Sequence, residues 1–265
     1  MRLEDATVLV TGSSRGIGRA LVERLVDERV GVVLAGVRSV ERFEPVTRAR
    51  GEVGEVRPVM VDLSSRETIE ASCDQLGEEL RRVDVLINNA GLMTGGLLEE
   101  QAIEDVYAMF QVNLVAVAHL TARVLPGMLA RRSGMIVNNA SISGYAFFPG
   151  ASTYTASKAA VVAFTESLRR ELRGTGVKAM HLVTPGVRTD MLGATQEVYG
   201  QHMDTSGWGQ VSPEHWAERI VDAVRSDRRV LRPSGNAALA TLAARGPAWL
   251  LDWFCRQAFS RAPRR

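Results

Sequence analysis

"TVLVTGSSRGIGRALVERLVD", residues 7–27, joins a run of β-branched and apolar residues to a turn holding Gly12, Gly16 and Gly18, and then to a stretch with helical spacing. Glycine lets a backbone turn tightly and come close to a ligand, and the helix that follows offers unpaired N–H groups and a partial positive charge to a phosphate. The turn therefore reads as a pyrophosphate cradle built from Gly12, Ser14, Arg15, Gly16, Ile17 and Gly18. A strand-to-helix turn also needs glycines for structural reasons alone, and the spacing differs from G-x-G-x-x-G. The rest of the chain has to arbitrate.

Similar apolar runs recur: "VGVVLA" at 30, "VRPVMV" at 56, "VDVLI" at 83, "GMIVN" at 134 and "VKAMHLV" at 177. Helical spacing fills the intervals, over Arg19–Asp27, Thr68–Arg81, Ile103–Leu129, Ser152–Arg173 and Pro213–Ser226. Strands alternating with helices specify an α/β fold, a doubly wound parallel sheet of the Rossmann type with helices on both faces. Near-continuous apolar strands fit burial on both sides. Ligands in such sheets lie beyond the carboxyl ends of the strands, so the residues following each run matter most.

The totals agree with one globular domain. At 265 residues the chain can bury a substantial core, and 46% hydrophobic with 23% charged residues excludes a disordered or fibrous protein. Cys73 and Cys255 stand alone, with no disulfide framework and no metal-ligand spacing, so no metal is expected. The apolar run begins within a few residues of Met1, which leaves no room for a signal peptide, and a cytoplasmic protein is expected.

After the second run, Gly36 occupies the place where an NAD-preferring site usually carries an acid, and Arg38 follows. With Arg15 it could grip a 2′-phosphate, for which a planar guanidinium is suited. NADP(H) is therefore preferred, with NAD(H) as the alternative. After the third run come Asp62 and Leu63, the carboxylate placed to accept from an adenine amino group while capping the next helix. After the fourth comes "NNAG", in which Asn89, Ala90 and Gly91 let the backbone pass close to a cofactor.

After the fifth run stands Ser141, and Tyr154 and Lys158 follow in "STYTASKAAVVAFTESL", residues 152–168. Lys158 is at odds with its apolar helix, because burying an unpaired ammonium costs several kcal/mol. Tyr154, four residues earlier, lies on the same side of that helix. A cation near a phenol favours the phenolate and would lower its pKa from about 10 toward working pH, each unit being ~1.4 kcal/mol. A tyrosine so tuned serves as a general acid or base, a role typically contributing ~10²- to 10⁴-fold.

Taken in order, "TGSSRGIG", "NNAG", Asn113 in "VNLVAVAHL", Ser141, "YTASK" and "PGVRT" (185–189) resemble the short-chain dehydrogenase/reductase family up to about residue 190. The resemblance implies an NAD(P)-dependent oxidoreductase that interconverts a ketone or aldehyde and an alcohol. It implies that Tyr154 exchanges the proton with the substrate oxygen, that Ser141 hydrogen-bonds that oxygen, and that Lys158 lowers the tyrosine pKa and binds the nicotinamide ribose. Asn113 would anchor a water of the proton relay. Thr189, with Pro185, Gly186 and Val187, would border the nicotinamide. The family commonly assembles as homo-oligomers. The alternative is a non-catalytic cofactor-sensing or scaffold protein on the same fold.

Residues 1–228 read as the catalytic domain, with a substrate lid about 190–212 that offers Tyr199, His202, Met203 and Trp208 to the substrate. Met93, Phe147 and Phe148 would add apolar wall, while His181 reads as a core residue. Residues 229–265 read as a separate C-terminal extension. Residues 225–265 hold nine Arg against two acids, so the preceding residues carry −5 of the net +2. Arginine without a reading motif does not indicate nucleic acid. On a helix starting near Pro247, Leu250, Leu251, Phe254, Cys255 and Ala258 share one side, while Trp249 and Trp253 fall on the Arg256 side. Over 247–261 such a helix could lie in a membrane surface or pack on another subunit, and an apolar stretch interrupted by Arg245, Gly246, Pro247 and Asp252 is too short to span a bilayer. An apolar carbonyl substrate would fit the former.

Overall fold

The computed structural model describes residues 1–46, 54–193, 201–202, 210–243 and 246–262. Seven strands form one parallel sheet: β1 (Thr7–Thr11), β2 (Val32–Val37), β3 (Glu55–Met60), β4 (Val85–Asn88), β5 (Gly134–Asn139), β6 (Val177–Leu182) and β9 (Val230–Leu231). Their order across the sheet is β3-β2-β1-β4-β5-β6-β9. The short strands β7 (Gly186–Val187) and β8 (Gln210–Val211) pair apart from it. The chain runs outward from β1 in both directions, through β2 on one side and β4 on the other, and the crevice at that reversal is where such sheets bind ligands.

Alternation along β1 divides the core. Val8 and Val10 join the layer that holds Leu21 and Leu25 of α1 (Gly16–Asp27) and Trp216 and Ile220 of α7 (Pro213–Arg225). Leu9 joins the opposite layer, with Ile69 of α2 (Arg66–Leu76), Leu120 and Val124 of α5 (Ala116–Arg131) and Leu168 of α6 (Ser152–Glu171). A residue period of two thus places both covering layers against a single strand.

Two of the expected helices are broken. Gly77, at φ +51, ends α2 and starts the short α3 (Glu78–Arg82). The expected Ile103–Leu129 helix is α4 (Ile103–Phe110), a π-helical turn over Gln111–Val115, and then α5. Such a turn inserts a residue into the helical register and re-aims the side chains around it. The run Ile103–Arg131 is long and apolar enough to cross a membrane, but Met109, Leu120, Val124 and Met128 are fully buried in this fold.

Beyond α7, β9 places Val230 and Leu231 in the main sheet beside His181 and Leu182, so the sheet continues past the expected boundary at 228. Two helices follow, α8 (Asn236–Ala243) and α9 (Ala248–Ala258). Trp249, Trp253, Asp252 and Arg256 of α9 are exposed. The side chains of Leu250, Leu251 and Phe254 lie outside those described, as do Tyr199, Met203 and Trp208 of the expected lid.

Candidate active site

The glycine turn is fitted against the turn after β4. Thr11 Oγ1 accepts from the backbone N–H of Asn89 and of Ala90, each at 3.0 Å, and Asn89 Nδ2 donates to the Thr11 carbonyl at 3.0 Å. Gly12, at φ +69, would bring a Cβ to 2.9 Å from Ala90 Cα, and a Cβ on Gly18 would stand 2.0 Å from the Gly12 carbonyl oxygen. Neither position admits a side chain. Arg15 is the N-cap of α1, and its side chain makes no capping bond, so the first N–H groups of that helix have no side-chain cap. That is the donor set an anion needs.

Of the two arginines expected at a 2′-phosphate, Arg38 stands exposed one residue beyond β2. Arg15 forms a 3.2 Å ion pair with Asp190, both side chains being largely in solvent. Asp62 does not cap α2. Its Oδ1 accepts from Ser64 N–H at 3.0 Å, and the cap is Ser65, in a reciprocal capping box with Thr68. Leu63 is buried, and its carbonyl accepts from Gln111 Nε2 at 3.4 Å.

Asn113 sits in the π turn, 1% exposed. Its amide bonds both ways to Leu92, accepting from the N–H at 2.8 Å and donating to the carbonyl at 2.9 Å, and it also donates to Ser157 Oγ at 3.0 Å. Ser157 in turn donates to the Tyr154 carbonyl at 2.7 Å. Asn113 therefore ties the chain just after "NNAG" to the helix carrying Tyr154 and Lys158. Gly91 leaves the space between: a Cβ there would be 3.2 Å from Asn113 Oδ1 and 3.5 Å from Lys158 Nζ.

Ser141 stands two residues beyond β5 and caps a 3-10 turn over Ile142–Gly144, its Oγ accepting from Ser143 N–H at 3.1 Å. It also hydrogen-bonds the Tyr154 side chain. Tyr154 is 8% exposed and Lys158 4%. The ammonium stands 5.8 Å from the Tyr154 ring centroid and donates to the Asn139 carbonyl at 2.8 Å. Burial pushes the tyrosine up to about 12, opposed by the Ser141 hydrogen bond, and pulls the lysine down to about 8. The expected lowering of the tyrosine by the lysine is thus not what this protein framework produces. Loss of hydration sets the direction of the tyrosine shift, and the ammonium's hydrogen bond goes to a backbone carbonyl.

The "PGVRT" segment reaches back to the glycine turn. Pro185 is buried, Gly186 and Val187 form β7, and Thr189 packs so close that a Cβ on Gly16 would be 3.0 Å from its Cγ2. His181 is a core residue as expected, its Nε2 2.6 Å from the Tyr145 hydroxyl. Met93 and Phe148 are half-buried and Phe147 is exposed. His202, expected at the substrate, is instead buried against the tail, with Nδ1 3.1 Å from the Ser260 carbonyl. Sequence reasoning missed Asn139, which presents its carbonyl to Lys158 and whose side chain meets Asn89 Oδ1 at 3.2 Å and Thr184 Oγ1 at 2.5 Å. A polar residue closing an apolar strand, just before the serine, was the available signal.

A glycine cradle at the sheet reversal, together with a half-buried serine and a buried tyrosine and lysine, defines a dinucleotide-dependent oxidoreductase. The short chain dehydrogenase family model matches residues 6–199, and the chain belongs to that family, whose enzymes act on CH–OH groups with NAD(P). The 3-oxoacyl-acyl-carrier-protein reductase FabG of Haemophilus influenzae is 34% identical over 190 residues, 71% of this chain and 77% of its own. A short chain dehydrogenase from Burkholderia cenocepacia in complex with NADP superposes with a TM-score of 0.80 at 24% identity, covering 96% of this chain and 99% of that one. A family member from Burkholderia phymatum in complex with NAD has a TM-score of 0.73 at 28% identity, covering 87% and 89%. Nicotinamide cofactor use follows from this kinship.

Proposed function

We propose that this protein interconverts a ketone or aldehyde and an alcohol, with Tyr154 as the group that gives or takes the proton at the substrate oxygen. The observation that carries the reading is the burial of Tyr154 and Lys158 beside Ser141, just past the carboxyl end of β5, with the Lys158 ammonium reaching the Gly91 turn after β4. The bound nicotinamide supplies or accepts the hydride. Gly12, Ser14, Arg15, Gly16, Ile17 and Gly18 would hold its pyrophosphate. Asp62 and Leu63 would border the adenine, Asn89, Ala90 and Gly91 the ribose, and Pro185, Gly186, Val187 and Thr189 the nicotinamide end.

A phenol held up near 12 is fully protonated at neutral pH. In the direction of reduction it is a loaded acid, and Ser141 shares the oxygen it protonates. Lys158, near 8, stays mostly charged at neutral pH and supports the phenolate left behind. Asn113, with its side chain committed to Leu92 and Ser157, keeps that lysine's helix in register with the cofactor turn.

Preference for NADP(H) is our reading of Gly36 in place of an acid and of the exposed guanidiniums of Arg38 and Arg15 as partners for a 2′-phosphate. The test follows the absorbance of NADPH and of NADH with a panel of aldehydes, ketones and steroids, beside Tyr154→Phe. That variant should lose ~10²- to 10⁴-fold in kcat, and unchanged turnover overturns the mechanism. Arg38→Ala should weaken NADPH by about tenfold or more and leave NADH alone. Faster use of NADH by the unaltered protein overturns the preference.

Self-association is the second part of the reading, favoured by Ile103 and Tyr107 of α4, 58% and 75% exposed, with Val115 beyond them at 47%. Light scattering of wild type against Tyr107→Asp tests it. We also place the protein in the cytoplasm, and any peripheral membrane contact through 247–261 would use the exposed Trp249, Trp253 and Arg256. Co-sedimentation with phosphatidylcholine vesicles, with and without phosphatidylglycerol, tests that contact.

A further inference from the structure

The 3-10 turn Leu98–Glu100 and the residue after it meet three distant parts of the chain in consecutive positions. Glu99 pairs with Arg261 near the end of the tail. Glu100 Oε2 lies 3.6 Å from His202 Nε2. Gln101 Oε1 accepts from Thr153 Oγ1 at 2.7 Å and from Thr94 Oγ1 at 3.3 Å, while its Nε2 donates to the Gly96 carbonyl at 3.1 Å. Thr153 immediately precedes Tyr154. Gly96 N–H adds a bond to the Gly150 carbonyl at 2.9 Å, just ahead of the catalytic helix.

The tail is fastened on the other side of the same junction. His202 and Ser260 bond twice, Ser260 N–H to the His202 carbonyl at 2.8 Å and the His202 ring to the Ser260 carbonyl at 3.1 Å, with the Phe259 ring 6.2 Å away. His202 is 3% exposed and Ser260 half-buried, so these bonds are partly shielded from water and their loss costs more than that of a surface contact. Nearer the chemistry, α8 lies against the Ile142–Gly144 turn that follows Ser141, with Thr241 buried there. Residues from beyond β9 therefore reach the turn after Ser141 directly, and the start of the Tyr154 helix through the 99–101 segment that Arg261 holds.

We infer that the C-terminal residues Phe259–Arg261 are a clasp that fixes the 94–101 segment against the catalytic helix, and so set the affinity for the carbonyl substrate and not for the dinucleotide. The cradle lies at the ends of β1 and β4, whereas the clasp closes on the loop that leads away from Gly91. The inference rests on the proposed carbonyl reductase activity for its substrate readout. Its structural part stands apart from that activity.

The experiment compares the full-length protein with Glu99→Arg, Arg261→Glu and the double variant that exchanges the charges. Each single variant should raise the KM for a carbonyl substrate about two- to fivefold, the scale of an exposed ion pair turned repulsive. The NADPH dissociation constant, read by fluorescence, should not move, and the exchanged pair should restore KM. Amide hydrogen exchange at Gly96, Glu100 and Gln101 should quicken in the single variants and recover in the double. Unaltered exchange overturns the clasp whatever the activity, and altered exchange with an unaltered KM overturns its role in substrate affinity. Absence of any carbonyl turnover in the wild-type protein, with exchange as expected, instead removes the proposed activity and leaves the clasp in place.

Discussion

Replacing Lys158 by methionine isolates the energetic consequence of burying an ammonium at this site. Its pKa falls from an ordinary 10.5 to about 8, with burial as the cause, so at neutral pH the charged lysine destabilises the folded chain by about 3 kcal/mol relative to the same charge in water. The sign is that of a depressed base. The penalty is complete below the folded pKa of about 8, and it disappears as pH rises toward 10.5, where the lysine is neutral folded or unfolded. Methionine of similar length has no such penalty, but it leaves the Asn139 carbonyl without its donor, at about 1–3 kcal/mol.

At neutral pH the two terms nearly offset, and Lys158→Met should be equal to wild type or up to about 2 kcal/mol more stable. The pH dependence is the cleaner quantity, because the orphaned carbonyl does not titrate. Between about pH 7 and about pH 9.5, wild type should gain about 2 kcal/mol relative to the variant. Tyr154 does not disturb the comparison: raised to about 12, it stays protonated in the folded chain over this range, and its behaviour in the unfolded chain is common to both proteins. Urea titrations of cofactor-free protein at one protein concentration measure the difference. Parallel stability curves for the two proteins would refute the claim that an ammonium is buried here at a cost, and with it the account of how this lysine is held.

Two further substitutions test the framework. Gly18→Ala places a Cβ 2.0 Å from the Gly12 carbonyl oxygen, so the turn must open. It should cost about 2–4 kcal/mol by thermal unfolding and abolish NADPH fluorescence enhancement. Ser65→Ala removes the side chain that accepts from Thr68 N–H at the start of α2 and should cost about 1 kcal/mol in urea, with no change in the NADPH dissociation constant.

The sheet was legible because six of its strands are apolar runs long enough to stand out from the helices between them. β9 was not, since two residues carry no period, and its place beside β6 is set by tertiary pairing alone. Periodicity also hid the break at Asn113: the apolar positions of α4 and α5 continue on either side, and the π turn inserts its register shift without a proline or glycine to mark it. Tyr154, Lys158 and Ser141 were found where their spacing placed them, but the direction of the tyrosine shift was not. That sign depends on how much water both groups lose, which a pair of residues four apart does not reveal. The tail posed the opposite problem, because an amphipathic helix states that one side is covered and not by what.

Parallel strands ending at a common level explain how so many separate segments can hold one geometry. Thr11 of β1 is bonded to Asn89 after β4, Asn89 to Asn139 of β5, Asn139 to Thr184 after β6, and Thr184 to the Trp216 indole at 3.2 Å. One layer deeper, Asn88 donates to Asn138 at 2.8 Å, and Asn138 to Thr165 of the Tyr154 helix at 2.9 Å. Each bond contributes only about 1 kcal/mol net, so the network matters less for total stability than for spacing, since a satisfied buried network fixes a unique arrangement. Lys158 is attached to that network through the Asn139 carbonyl, not through a countercharge. A carboxylate in that place would have raised the lysine pKa and locked the charge. A carbonyl positions the ammonium within one helical turn of the phenol and leaves it depressed near 8.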